Sequence, residues 1–184
     1  MTDDRLERYK QELLRWNEKI NLIGPEARDN IEDHIEEALA GSVILSPEGE
    51  VLDFGSGGGL PAIPMAIVSP QAHFHLVESD QRKWAFLKHI VRECGLNAVV
   101  HGGRLARVLT QLPPGLRFSL VTSRAVGKPQ EWLPLVAPWM ADGGCVGLFQ
   151  GSPEAPTVPS FQAATAFPLR RGMLVTLTFH VEQR

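Results

Sequence analysis

The chain has 184 residues, 43% of them hydrophobic and 21% charged, with a formal net charge of −3. That balance suits one globular domain with a small appendage and excludes a disordered chain, and no apolar run reaches the roughly 18 to 20 residues that span a bilayer. The charge is uneven: residues 1–41 hold six Lys/Arg against eleven Asp/Glu, whereas residues 81–128 hold nine Lys/Arg against Glu93 alone.

The N-terminus is acidic and has no apolar stretch behind a basic start, so no secretory signal is expected and a cytoplasmic protein is. Leu6, Tyr9, Leu13, Trp16 and Ile20 recur at three- and four-residue steps, which predicts an amphipathic helix. Gly24-Pro25 breaks it, and Ile31, Ile35, Ala38 and Leu39 mark a second helix ending near Gly41. Such faces need a partner, so residues 1–45 are expected to form a helical extension packed on a domain of residues 46–184.

From Glu50 onward strands and helices alternate. Val51–Phe54 is a short buried strand running into a glycine loop, and Pro61–Val68 a helix with its proline in the first turn, where no amide donor is missed. Phe74–Glu78 is a second strand. Residues 80–94 form a helix capped by Ser79 or Asp80, lined by Trp84, Leu87, Ile90, Val91 and Cys94, and stopped by Gly95. Val99–His101, Phe118–Ser123 and Cys145–Phe149 are further strands, with helices at 104–109 and 130–141. Residues 151–160, with three prolines, form a loop, and Met173–Val181 is a last strand rich in β-branched residues. The alternation means a largely parallel sheet with helices on both faces. Cys94 and Cys145 are expected as reduced, buried thiols; with the six histidines they show no zinc spacing, so no metal is expected.

The chemistry concentrates at Asp53-Phe54-Gly55-Ser56-Gly57-Gly58-Gly59. A glycine-rich turn between a first strand and its helix lets backbone come close to a ligand, at the carboxyl ends of strands where open parallel sheets bind. Glu78 closes the second strand 19 residues after Gly59, placed to accept the hydroxyl protons of a ribose. Two nucleoside cofactors fit. Gly57, Gly59 and Ala62 satisfy the dinucleotide pattern, but Pro61 removes a donor that a pyrophosphate would use, and Asp53 would repel it. An acid at Asp53 suits a cofactor with a positive amino group and sulfonium, which favours S-adenosylmethionine. The basic residues of 81–128 either attract a phosphate-rich ligand or simply solvate helix faces.

The chain resembles the bacterial small-subunit ribosomal RNA methyltransferase G family, also called glucose-inhibited division protein B. The resemblance rests on Trp16-Asn17 with Asn21-Leu22-Ile23, His34-Ile35, the run Val51 to Pro64, Leu76-Val77-Glu78-Ser79, Arg82-Lys83, Phe86-Leu87, Arg104, and Thr122-Ser123-Arg124-Ala125, across about residues 5–150. It implies a class I methyltransferase (Rossmann-like) fold with a mostly parallel seven-stranded sheet, and methylation of N7 of one guanine in small-subunit rRNA. It further implies cofactor contacts at Gly55 and Leu60, at Leu105 and Ala106 beside the adenine, and at Arg124, with Glu78 on the ribose. Asp53, Gly57 and Gly59 complete the expected cofactor set.

The chain departs from the family pattern at Ala106, where a carboxylate is usual, at Gln150 in place of lysine, at Glu37-Ala38 in place of Asp-Ser, and at Gly172-Met173 in place of an Arg-His pair. Guanine N7 carries a free lone pair, so transfer to it needs alignment rather than a general base. Arg124 is expected to orient cofactor or guanine, and Arg104 to meet a phosphate or the base, unless both are surface or capping arginines. The expected partner is small-subunit rRNA or the 30S particle, met by a monomer with no membrane contact. A methyltransferase with another substrate, a non-catalytic cofactor-binding relative and a nicotinamide-dependent oxidoreductase remain alternatives.

Overall fold

The computed structural model describes residues 3–180. Helix α1 (Asp4–Asn17) is capped by Asp3, whose carboxylate accepts the Arg5 amide, and it buries Leu6, Tyr9 and Leu13. Helices α2 (Pro25–Asp29) and α3 (Ile31–Leu45) follow. Strands β1 (Glu50–Phe54), β2 (His73–Glu78) and β3 (Ala98–Gly102) alternate with α4 (Ala62–Val68) and α5 (Gln81–Glu93). Then come α6 (Leu105–Leu109), β4 (Phe118–Arg124), α7 (Pro129–Val136), β5 (Met140–Gln150), β6 (Phe161–Pro168) and β7 (Met173–Phe179). Among the described residues the sheet has seven strands in the order β3-β2-β1-β4-β5-β7-β6. The first five are parallel; β7 runs antiparallel to both β5 and β6.

Strand alternation divides the core in two. Val51, Phe74, Leu76, Leu120, Phe149 and Leu174 face α1, α3, α4 and α5. Leu52, Val77, Val121, Val146, Leu148, Val175 and Leu177 face α6 and α7. The N-terminal helices therefore share one apolar core with α4 and α5, which supplies the stability that short amphipathic helices lack alone.

Several expectations need correction. Gly41 does not stop the second helix, which runs on to Leu45 and ends on a left-handed Ser46. A Cβ at Gly41 would lie 2.5 Å from the Phe149 ring, so the glycine lets α3 approach β5 closely. Gly41→Leu is expected to cost about 1–3 kcal/mol by overpacking, measured by chemical denaturation. The short helix α2 and strand β6 were not anticipated. The helix expected at 130–141 ends at Val136 and passes through a 3-10 turn, Ala137–Trp139, into β5, which begins five residues before Cys145. Pro61 stands just before α4 as its cap, and Ile20 lies beyond the end of α1. Val181 lies outside the described residues. Cys94 and Cys145 are free, one buried and one half-buried, and burial raises both thiol pKa values, Cys145 to about 11. Among the described residues no helix is long and apolar enough to cross a membrane.

Candidate active site

The strand order reverses between β1 and β4: β2 and β3 extend to one side of β1, β5 and its partners to the other. The chain leaves a crevice at such a switch point, outside the carboxyl ends of the strands. A cavity of about 880 Å³ occupies this place. The segments leaving four strands line it: Gly55 to Gly58 after β1, Ser79 after β2, Gly103 to Ala106 after β3, and Ala125 to Gly127 after β4.

The glycine loop is fastened to the end of β2. Gly55 and Ser56 donate their amides to the Val77 carbonyl at 3.0 and 3.1 Å. Gly57 donates to Glu78 Oε2 at 2.8 Å, and Glu78 Oε1 accepts the Asp80 amide at 2.8 Å. Both carboxylate oxygens are thus aimed by backbone and each keeps a lone pair. Gly55 has φ +75°, and a Cβ there would meet Val126 at 2.3 Å, so only glycine fits. From the other side, Tyr9 donates its hydroxyl to the Gly58 carbonyl at 2.8 Å, while Ile23 and Leu13 close on Gly58 where a side chain would stand. Asn17 holds the wall segment by accepting the amides of Leu22 and Ile23 at 2.8 and 3.0 Å. Tyr9→Phe would strand the buried Gly58 carbonyl, at an expected cost of about 1–3 kcal/mol in a denaturation measurement.

Of the residues expected at the cofactor, the cavity brings together Gly55, Gly57, Leu60, Glu78, Leu105, Ala106 and Arg124, with Arg104 beside them. Asp53 and Gly59 do not line it. Gly59 instead packs under Ile63 and Tyr9. Asp53 is 1% exposed, behind the loop; its Oδ1 accepts the Thr122 hydroxyl at 2.6 Å, and Oδ2 is buried with no partner among the described residues. Desolvation raises its pKa to about 6, against the lowering by Thr122. A carboxylate held in this condition suits a cationic ligand, whose approach would relieve it.

Arg124 stands at the end of β4. One guanidinium nitrogen, Nη2, donates to Glu37 Oε2 at 2.9 Å and to His34 Nδ1. Since the guanidinium is always a donor, His34 Nδ1 is an acceptor and its proton sits on Nε2. The 3.3 Å approach of Nδ1 to Glu37 is then no hydrogen bond. Glu37 is buried, which alone would raise its pKa; the Arg171 amide at 2.6 Å and the Arg124 guanidinium together hold it below the ordinary value. Arg124 Nη1 is buried without a partner among the described residues. His34 and Arg124 also border a second cavity of about 620 Å³, lined by Gln150 and by Arg170 to Met173.

Sequence reasoning missed Leu22, Ile23, Gly24 and Ala27 on one wall and Glu131, Trp132 and Leu135 on the other. The Gly24-Pro25 break was the visible signal for the first wall; it bends the N-terminal segment over the cavity. The nine basic residues of 81–128 do not share a surface. Lys83, Arg104 and Arg124 line the cavity, while Arg92 closes α5 and Arg117 precedes β4 at the opposite end of the sheet.

Strand order, crevice and glycine bend define a class I methyltransferase fold. Cofactor-bound Rv0187 from MTB aligns with TM-score 0.69 at 15% identity, covering 99% of this chain and 91% of that one. The O-methyltransferase TomG from Streptomyces achromogenes, solved with S-adenosylmethionine, aligns with TM-score 0.67 at 17% identity over 98% and 91%. The family model described as GidB, rRNA small subunit methyltransferase G, matches residues 2–172, and the chain belongs to that family. Ribosomal RNA small subunit methyltransferase G of Wolinella succinogenes is 32% identical over 91% of this chain and 85% of its own. The protein of the same name from Cereibacter sphaeroides is 39% identical over 76% and 68%.

Proposed function

We propose that the chain transfers a methyl group from S-adenosylmethionine to N7 of a guanine in small-subunit ribosomal RNA. The observation that carries this reading is the glycine bend between two carboxylates, Asp53 behind it and Glu78 at its edge, in the crevice of a family member's methyltransferase fold. The bound cofactor supplies an electrophilic methyl on a sulfonium.

The chain's residues bind, orient and exclude water. Glu78 receives the ribose hydroxyls; Gly55, Gly57 and Leu60 border the nucleoside; Leu105 and Ala106 flank the base with backbone and apolar surface. Asp53 draws the ammonium by charge from beneath the loop, and Gly59 supports that loop without touching the ligand. Arg124, fixed by Glu37 and His34, offers its unpartnered Nη1 to an acceptor atom of guanine or cofactor where the two cavities meet. Arg104, exposed at the cavity mouth, meets RNA phosphate, as Lys83 can. Proximity and alignment can supply several kcal/mol of the barrier, roughly 7–11 in favourable systems, with no proton to remove. Residues 1–45 serve as a helical extension that walls the site on the domain 46–184. The protein acts as a cytoplasmic monomer on the subunit or its RNA.

Radiolabelled methyl transfer to small subunits from a strain lacking this methylation tests the reading. Label at guanine N7 is expected; label on another base, or none, would contradict it. Arg124→Ala is expected to lower transfer at least about 100-fold, the loss of one preorganised donor. Unchanged cofactor affinity and transfer in that variant would refute the role of Arg124. A second reading keeps the methyl donor and changes the acceptor. Gln150 favours it: its amide is spent on the Ser152 and Glu154 carbonyls at 2.8 and 2.7 Å, so it presents no cation where the family pattern has lysine.

A further inference from the structure

From the amino ends of β1 and β2, Glu50, His73 and His75 converge on one face of the sheet, and His101, near the carboxyl end of β3, reaches His75. Glu50 opens β1 and His73 opens β2, its partner in register; two residues on, His75 projects to the same face. Glu50 Oε2 lies 2.9 Å from His73 Nδ1 and 2.8 Å from His75 Nε2, and the three ligand atoms all lie within 4.8 Å of one another. His75 Nδ1 is 3.0 Å from His101 Nε2 on β3, with the two rings within 5° of coplanar and 5.2 Å between centroids, as an in-plane hydrogen bond requires.

We propose that Glu50, His73 and His75 bind one divalent ion of the zinc class, with His101 as the hydrogen-bond partner that orients His75. Two imidazoles and a carboxylate with a fourth position left to water form an open zinc donor set. Tetrahedral ligands at about 2.0–2.1 Å from a metal stand about 3.3 Å apart, so Glu50 must open by roughly half an ångström from each histidine and the pair must close from within 4.8 Å. Side-chain rotation of the half-exposed Glu50 and His73 covers that change.

Proton placement agrees. Without an ion, His73 and His75 each donate to Glu50, and His101 must donate to His75 Nδ1, so one neutral tautomer per ring satisfies every contact. With an ion on His75 Nε2, the proton sits on Nδ1 and is donated to His101, the second partner that metal-bound histidines require. Phe118, edge-on to His75 at 5.4 Å, and the burial of His75 keep that ring in place. The expectation of no metal, drawn from linear spacing, overlooked the alternation His73-Phe74-His75 and could not see the third ligand 23 residues away.

The test uses the full chain, freed of metal by a chelator, titrated with Zn²⁺ and with Co²⁺. One equivalent of each is expected to bind, with the visible absorption of tetrahedral cobalt and a rise in melting temperature. His73→Gln and Glu50→Gln, at half-exposed positions that tolerate change, are expected to abolish stoichiometric binding. His101→Ala is expected to weaken it about 10- to 100-fold without abolishing it. His89→Gln, a control on α5 paired with Glu12, should bind as wild type. Binding of less than one equivalent by the wild type, or full binding by either ligand variant, overturns the proposal. S-adenosylhomocysteine binding by the ligand variants should be unchanged, since Glu50 and His73 open their strands at the opposite end of the sheet from the cavity.

Discussion

Asp53→Asn is expected to weaken S-adenosylmethionine binding about 10- to 100-fold and to flatten the acid dependence of the free protein's stability. The first figure is the worth of a through-space attraction, roughly 1.5–3 kcal/mol for unit charges about 6–10 Å apart in a protein setting. The second follows from linkage. Asp53 has a folded pKa of about 6 against an ordinary 3.8, because burial opposes the charged form. Between these values the folded chain holds more protons than the unfolded one, so its stability falls as pH rises from about 4 to 6. A rise of about two pH units corresponds to at most about 3 kcal/mol of strain at pH 7, which a cationic ligand would relieve. In the wild type, cofactor affinity should therefore drop as pH falls below about 6, since a protonated Asp53 cannot attract an ammonium. Calorimetric titration and denaturation across pH 4–8 check both. A variant with unchanged affinity would make Asp53 a purely structural acid tied to Thr122.

Glu37→Ala is expected to be the most damaging single change, destabilising the chain by about 3–5 kcal/mol and stopping methyl transfer. Glu37 is 3% exposed and holds Arg124, while its other oxygen accepts the Arg171 amide at the β6–β7 turn. Removing one member of a buried pair leaves the other charge unmatched and the amide unpaired. The same carboxylate shapes the acid limb. Its folded pKa is held below the ordinary 4.5, so its contribution is complete above that value and is lost as pH falls through the lower folded value. Chemical denaturation and a transfer assay measure both effects; a variant within about 0.5 kcal/mol of wild type would refute the buried-anchor account. The departure from the family's aspartate thus keeps the acid and lengthens its reach.

What the sequence disclosed followed from local pattern. The first strand, its glycine bend, Glu78 at the end of the second strand and the capped helix after it are each written in a few adjacent residues. Strand β6 was hidden because Phe161–Pro168 alternates weakly, with small residues at several positions. Gly41 and Asp53 show the limit more clearly. A glycine near a helix end looks like a stop, and only packing against Phe149 shows that it is a close approach. An acid beside a glycine loop looks like a ligand contact, yet the strand pleat sends it behind the wall. The union of His34, Glu37 and Arg124 was equally invisible, since 87 residues separate the last two and only the placement of α3 beside β4 joins them.

Crystallisation of the chain with S-adenosylhomocysteine tests the central claim most directly. Density for the adenosine is expected between the Gly55–Gly58 bend and Leu105, with ribose hydroxyls on Glu78. A saturated crystal with that crevice vacant, or with the nucleoside lodged in another part of the molecule, would contradict the account.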